Sequence, residues 1–218
     1  MDEHTNTRAG QVRVGVLAMQ GAFREHAAAF DRLGVSASYV RTAAELDSVD
    51  AIVIPGGEST AIRHGLVRGG LYDQLRTSIA NGMPALVTCA GMVVLGTAPA
   101  DSAPPTFGVL DVTVSRNGYG RQLHSADSVI EIDPSIRGDE ADTSLTVPFI
   151  RAPRIEAYGS GVEPCAWLRS GPHAGDVVAV RTDTIIACCF HPELTASTTF
   201  HEAFLRVAHD RVQLGATR

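Results

Sequence analysis

The sequence predicts an α/β fold built on a mostly parallel β-sheet. Three observations lead there. Apolar runs of strand length alternate with amphipathic stretches of helix length, the pattern of βα units joined by right-handed crossovers. The run at 51–54 is apolar throughout, as a strand buried on both faces must be. The chain has 218 residues, 44% apolar and 19% charged, enough for one sizeable core.

In chain order, 12–18 (VRVGVLA) reads as the first strand, followed by a turn at Met19-Gln20-Gly21. Residues 22–33 form an amphipathic helix with Phe23, Ala27, Phe30 and Leu33 inward and Gly34 just past its end. Strands follow at 36–40 and 51–54, then a helix at 71–80 that closes on Asn81-Gly82. Pro84 leads into a strand at 85–88. The middle is less regular. After a proline-rich loop at 98–105, strands at 109–115, 128–132 and 146–150 lack intervening helices and read as antiparallel additions to the sheet. The polar stretch 134–144 has no periodicity and reads as a surface loop. Strands at 165–168, 177–181 and 185–189 precede a last helix at 198–214, with Phe200, Phe204, Val207 and Val212 near one face. The expected organisation is a leader at 1–11, one domain at 12–214 and a tail at 215–218.

Composition excludes several classes. A net charge of −6, a pI near 5.7 and the lack of any Lys/Arg cluster argue against nucleic-acid binding. No apolar run is long enough to span a bilayer, and the polar start lacks a signal peptide's apolar region, so a cytoplasmic setting is expected. Cys89, Cys165, Cys188 and Cys189 do not form a disulfide framework in a chain of this size. Nor is a metal site expected, because adjacent strand residues Cys188 and Cys189 point to opposite faces and no C-x-x-C pair occurs.

The chemistry concentrates at a few places. Cys89 ends an apolar strand and is followed by Ala90-Gly91 and a second apolar run, the pattern of a nucleophile elbow. A helix N-terminus there favours a thiolate. By itself a buried cysteine is more often structural. Far downstream, His191 and Glu193 stand two positions apart, and in an extended segment such residues share a side, so the carboxylate can fix the imidazole's tautomer. Together they are the parts of a Cys-His-acid hydrolase. The other seven histidines, His26 and His201 among them, have no partner at a telling spacing. PGGEST (55–60) follows a buried strand, and its glycines let backbone N–H groups approach an anion. It lacks the spacing and lysine of a phosphate loop. The loop with Arg116 and Arg121 suits a bidentate carboxylate, and Arg151 ends an apolar strand. Each of these also has a plain structural reading, as a glycine turn, a solvated loop or a surface ion pair.

Six segments together resemble the glutaminase subunits of pyridoxal 5′-phosphate synthases, which are class I (triad-type) glutamine amidotransferases: GVLAMQGAFREH (15–26), PGGEST (55–60), TCAGM (88–92), RNGYGRQ (116–122), FIRAP (149–153) and FHPELT (190–195). Departures are modest. Val87 stands where glycine is usual before the elbow, Gly118-Tyr119 where Ser or Ala precedes Phe, QLHS replaces Q-V-D-S at 122–125, and the stretch around 139–146 is slightly longer. The resemblance implies a three-layer, flavodoxin-like α/β sandwich that hydrolyses L-glutamine with Cys89, His191 and Glu193 through a thioester. It assigns the oxyanion hole to Gly57 and Ala90, and glutamine binding to Gly57, Glu58, Ser59, Arg116, Ile150 and Arg151. It further implies no cofactor, and a partner: a (β/α)₈-barrel synthase subunit, in a large hetero-oligomer, that receives the ammonia and combines it with a pentose phosphate and a triose phosphate. The alternatives are a free-standing or other-pathway cysteine amidohydrolase and a catalytically silent binding subunit.

Overall fold

A computed structural model of the chain describes residues 12–97, 105–119, 125–138 and 142–216. The expected leader, most of the proline-rich loop, Gly120 to His124, residues 139–141 of the expected surface loop and the last two residues lie outside it. Nine strands form one mixed sheet in the order β2-β1-β3-β4-β11-β10-β9-β6-β7. Its parallel half comprises β1 (Val14–Leu17), β2 (Ser38–Val40), β3 (Ala51–Ile54), β4 (Ala85–Thr88) and β11 (Ile185–Cys188). The antiparallel half adds β6 (Ser125–Ile132), β7 (Ser144–Ile150), β9 (Glu163–Leu168) and β10 (Val177–Arg181). Strands β1, β3, β4 and β11 are buried at every position, which is why they read as unbroken apolar runs. Pro148 sits within β7, and β7 is an edge strand, where a residue without an N–H leaves no ladder bond unmade.

Helices flank this sheet. α1 (Phe23–Arg32) and α7 (Thr199–Ala216) meet through Phe30 and Phe204, with ring centroids 6.0 Å apart. α3 (Ser59–Arg68) packs against α4 (Tyr72–Ala80) and the short α5 (Ala90–Leu95). The inward ridge of α1 is His26, Ala29 and Phe30, whereas Phe23, Ala27 and Leu33 are only partly covered. The apolar count placed the stripe about one position off, because a histidine occupies its centre. α7 extends to Ala216, two residues into the expected tail.

Three further elements depart from the sequence reading. α2 (Ala43–Asp47) is too short for a periodic signal and is held by a capping box between Thr42 and Glu45. The stretch read as a loop from 134 starts with a helical turn, α6 (Pro134–Arg137), capped by Asp133 and opened by a proline whose missing N–H costs nothing there. The strand expected at 109–115 is β5 (Val112–Ser115), and it does not join the main sheet. It pairs antiparallel with β8 (Arg154–Tyr158), an unpredicted strand of alternating character, to make a separate two-stranded ribbon.

Order in the sheet reverses at β1, with β2 on one side and β3 on the other. Ligands of open α/β sheets bind beyond the strand C-termini near such a switch. The segments that leave β1, β3, β4 and β11 in this direction carry Gly21, Gly56-Gly57, Cys89 and His191.

Candidate active site

At the elbow, Cys89 adopts φ 48° and ψ −107° between β4 and α5. That left-handed φ is unfavourable for a side chain with a Cβ, and its N–H is anchored to the Cys188 carbonyl at 2.8 Å. The turn needs Gly91, since a Cβ there would lie 2.4 Å from the Ile54 carbonyl oxygen. Among the described residues the non-glycine residues with left-handed φ are Cys89, Asn117 and Arg151. All three border one cavity of about 460 Å³, within the usual range for a small-molecule site. Backbone strain thus gathers at one place, where a binding site is the physical reason to maintain it.

His191 sits opposite the elbow, on the same cavity. Its Nδ1 lies 2.7 Å from Glu193 Oε1, and both side chains are buried. The sequence reading placed the pair on one side of an extended segment. The backbone instead turns into a 3₁₀ helix at Pro192–Leu194, and the contact forms across that turn. Burial opposes the imidazolium, but hydrogen bonds to Cys89 and Glu193 and their charges outweigh it, pushing His191 up to about 10. Burial likewise opposes the Glu193 carboxylate, yet the hydrogen bond from His191 and the charge of His191 hold its pKa below the usual range. The Cys89 thiol donates to the Ile150 carbonyl at 3.7 Å. The His191 N–H donates to the Pro148 carbonyl at 3.2 Å, so the end of β7 reaches back to the segment after β11.

Of the site residues expected from the sequence, Gly57, Glu58, Ser59, Cys89, Ala90, Arg116, Ile150, Arg151 and His191 border this cavity; Glu193 stands behind His191, and Arg121 lies outside the described residues. Glu58 has a further duty, because its carboxylate caps α3 by accepting from the Thr60 and Ala61 N–H groups, and its own N–H donates to Gln20 Oε1. Arg116 follows β5 and Arg151 precedes β8, so the small ribbon presents both guanidinium-bearing loops. Gly56 shows why PGGEST needs its glycines: a Cβ there would sit 2.3 Å from His191 Cε1.

The sequence reading missed the layer behind the site. His26, Thr88 and His201 are fully buried. His26 Nδ1 is 3.0 Å from His201 Nε2, His26 Nε2 is 3.2 Å from Thr88 Oγ1, and Thr88 Oγ1 accepts from the Gly56 N–H at 2.9 Å. His26 and Thr88 stand inside matched segments, but only the tertiary packing of α1 against α7 brings His201 to them.

The family model described as the SNO glutamine amidotransferase family matches residues 16–210. A pyridoxal 5′-phosphate synthase subunit PdxT from Acidothermus cellulolyticus is 48% identical over 88% of this chain and 92% of its own. The protein of the same name from Kineococcus radiotolerans is 44% identical, covering 91% and 96%. Among solved structures, a glutamine amidotransferase superposes with a TM-score of 0.78 at 38% identity, over 89% of this chain and 98% of that one. A chain of PurLQS from Thermotoga maritima shares the fold at 16% identity, with a TM-score of 0.63 over 90% of this chain and 98% of that one.

Proposed function

The chain belongs to the SNO glutamine amidotransferase family, and we propose that Cys89, His191 and Glu193 carry its glutaminase reaction as a triad. The chain hydrolyses L-glutamine to L-glutamate and ammonia as the glutaminase subunit of pyridoxal 5′-phosphate synthase. The observation that carries the residue assignment is the strained Cys89 facing a His191 that is itself bonded to a buried Glu193.

In this reading the Cys89 thiol passes its proton to His191, and the thiolate attacks the side-chain carbonyl carbon of glutamine. The oxyanion is taken by the backbone N–H groups of Gly57 and Ala90, each worth about 3 kcal/mol of barrier in comparable sites. His191 returns the proton to the departing nitrogen, ammonia leaves, and a γ-glutamyl thioester remains. A water deprotonated by His191 then cleaves the thioester, releasing glutamate and restoring the thiol. Glu193 keeps the imidazole oriented and balances its charge. The Gly57-Glu58-Ser59 loop, Arg116, Ile150 and Arg151 hold the substrate's amino and carboxylate groups, the two arginines serving the carboxylate.

Ammonia loses its nucleophilicity when protonated at neutral pH, so it has to reach the synthase subunit without mixing with solvent. We extend the reading to a (β/α)₈-barrel partner in a large hetero-oligomer in the cytoplasm, with the described residues forming one glutaminase domain. Among them, no helix is long and apolar enough to cross a membrane. The test is glutamate release from L-glutamine by the complex with a synthase subunit. Cys89→Ala should abolish it and leave the melting temperature near wild type; persistent release in a folded Cys89→Ala protein sinks the triad.

A further inference from the structure

Glu193 uses one carboxylate oxygen on His191. The other, Oε2, is buried and makes no hydrogen bond, and His26 Nε2 lies 3.4 Å from it. A buried carboxylate oxygen facing an imidazole nitrogen is stable only if that nitrogen carries a proton. The charged form of His26 is not available to supply it: burial, followed by the opposing pull of Glu193 and the push of His191, leaves its pKa lowered. What remains is neutral His26 with its proton on Nε2. Its Nδ1 is then an acceptor and must receive a proton from His201 Nε2, 3.0 Å away. His201 is held neutral by burial, with Arg32 acting in the same direction, and its Nδ1 has no hydrogen-bond partner. An unpaired acceptor there is the cheaper arrangement, because the opposite tautomers would bury an unpaired N–H and turn a lone pair toward Glu193.

The geometry points to His26 as a positioning residue for glutamine hydrolysis. Held as the Nε2–H tautomer by His201, it donates to Thr88 Oγ1 and keeps the same N–H edge 3.4 Å from Glu193 Oε2. Through Thr88, which accepts from the Gly56 N–H, the same imidazole ties the triad carboxylate to the turn that carries Gly57. The groups facing this pair are His191 beside Glu193, Cys188 at the end of β11, Glu25 on α1, and His201 on α7. None of them offers Glu193 Oε2 a second donor at hydrogen-bond distance. This inference rests on the triad assignment above.

The experiment compares His26→Leu and His26→Gln in the complex with the synthase subunit, across pH, with Cys89→Ala alongside. Losing the polar edge that faces a buried carboxylate oxygen, and so leaving that oxygen against apolar atoms, corresponds to about ten- to a hundredfold. His26→Leu should lower kcat by that much with KM little changed. It should also move the acid limb of the profile to higher pH, because Glu193 becomes easier to protonate. His26→Gln, whose amide N–H can point the same way, should restore the limb toward wild type. A folded His26→Leu protein with wild-type kcat and pH profile overturns the inference, as does a Gln variant no better than Leu. Activity surviving in Cys89→Ala would instead remove the triad beneath it. Should the Leu variant not fold, nitrogen-15 NMR of the wild-type chain decides: the Nε2–H tautomer is expected at His26, and the Nδ1–H tautomer refutes it.

Discussion

His191 binds its proton far more tightly than a solvent-exposed imidazole because two partners reward the charged form. Burial works against that form, and the hydrogen bonds to Cys89 and Glu193 still bring it to about 10. Two outcomes follow. Followed by NMR, His191 should titrate well above 6.5 in the wild-type chain and fall markedly in Cys89→Ala, which removes one of the two partners. An unchanged value in that variant would mean the thiol contributes nothing. The sign for stability is fixed by the same shift. A raised pKa in the folded state stabilises fully below the unfolded value near 6.5 and is lost as pH climbs toward about 10. Denaturant midpoints should therefore decline across that window in wild type, and decline less in His191→Phe, which has no proton to lose. Glu193 has the opposite sign: its depressed pKa means its contribution persists above the ordinary carboxylate value and is lost as pH falls through the folded one.

At the scale of elements, the elbow is the most constrained joint, because β4, α5 and β3 meet there without room for a side chain. A Cβ at Gly91 would lie 2.4 Å from the backbone carbonyl of Ile54, which cannot move aside as a flexible side chain could. Gly91→Ala is expected to destabilise by about 1–3 kcal/mol, the cost of overpacking, and to reduce activity beyond that by shifting Cys89; an equilibrium unfolding curve matching wild type would contradict it. This joint was legible in the sequence because its requirements are local: an apolar strand, a cysteine and small residues in immediate succession. PGGEST was legible by its paired glycines after a buried strand, although the reason for Gly56, clearance of His191, lies far away in sequence. What escaped was set by distance in space. β8 escaped because its alternation covers only 5 residues and its partner β5 is distant in sequence. The inward face of α1 was misjudged because its centre is His26, polar by type and buried by its bond to His201. Glu193 reached His191 as expected, but through a 3₁₀ turn that the proline at 192 opens.

For the molecule as a whole, the site joins two independently built parts. The parallel half of the main sheet brings Cys89, Gly57 and His191 to one edge, and Arg116 at the end of β5 and Arg151 in the link from β7 to β8 border the same cavity. An aromatic row runs from Tyr119 beside the ribbon through Phe149 and Phe190 to Phe200 on α7, with centroids 5.7, 5.8 and 5.2 Å apart. Offset and edge-to-face contacts of this kind keep the separation between the two parts fixed. A polar tether complements it: Arg154 on β8 donates to Asp176, just before β10, at 2.9 Å. The pair is partly exposed, so its contribution to global stability is small, about 0.2–1 kcal/mol. Its leverage on function is larger in kind, since it fixes where the ribbon's arginines stand relative to the nucleophile. Arg154→Leu should therefore raise KM for glutamine several-fold while leaving kcat and the unfolding midpoint close to wild type. A variant that instead loses kcat at unchanged KM would show that the ribbon aligns the triad rather than the substrate, and the division of labour between sheet and ribbon would have to be redrawn.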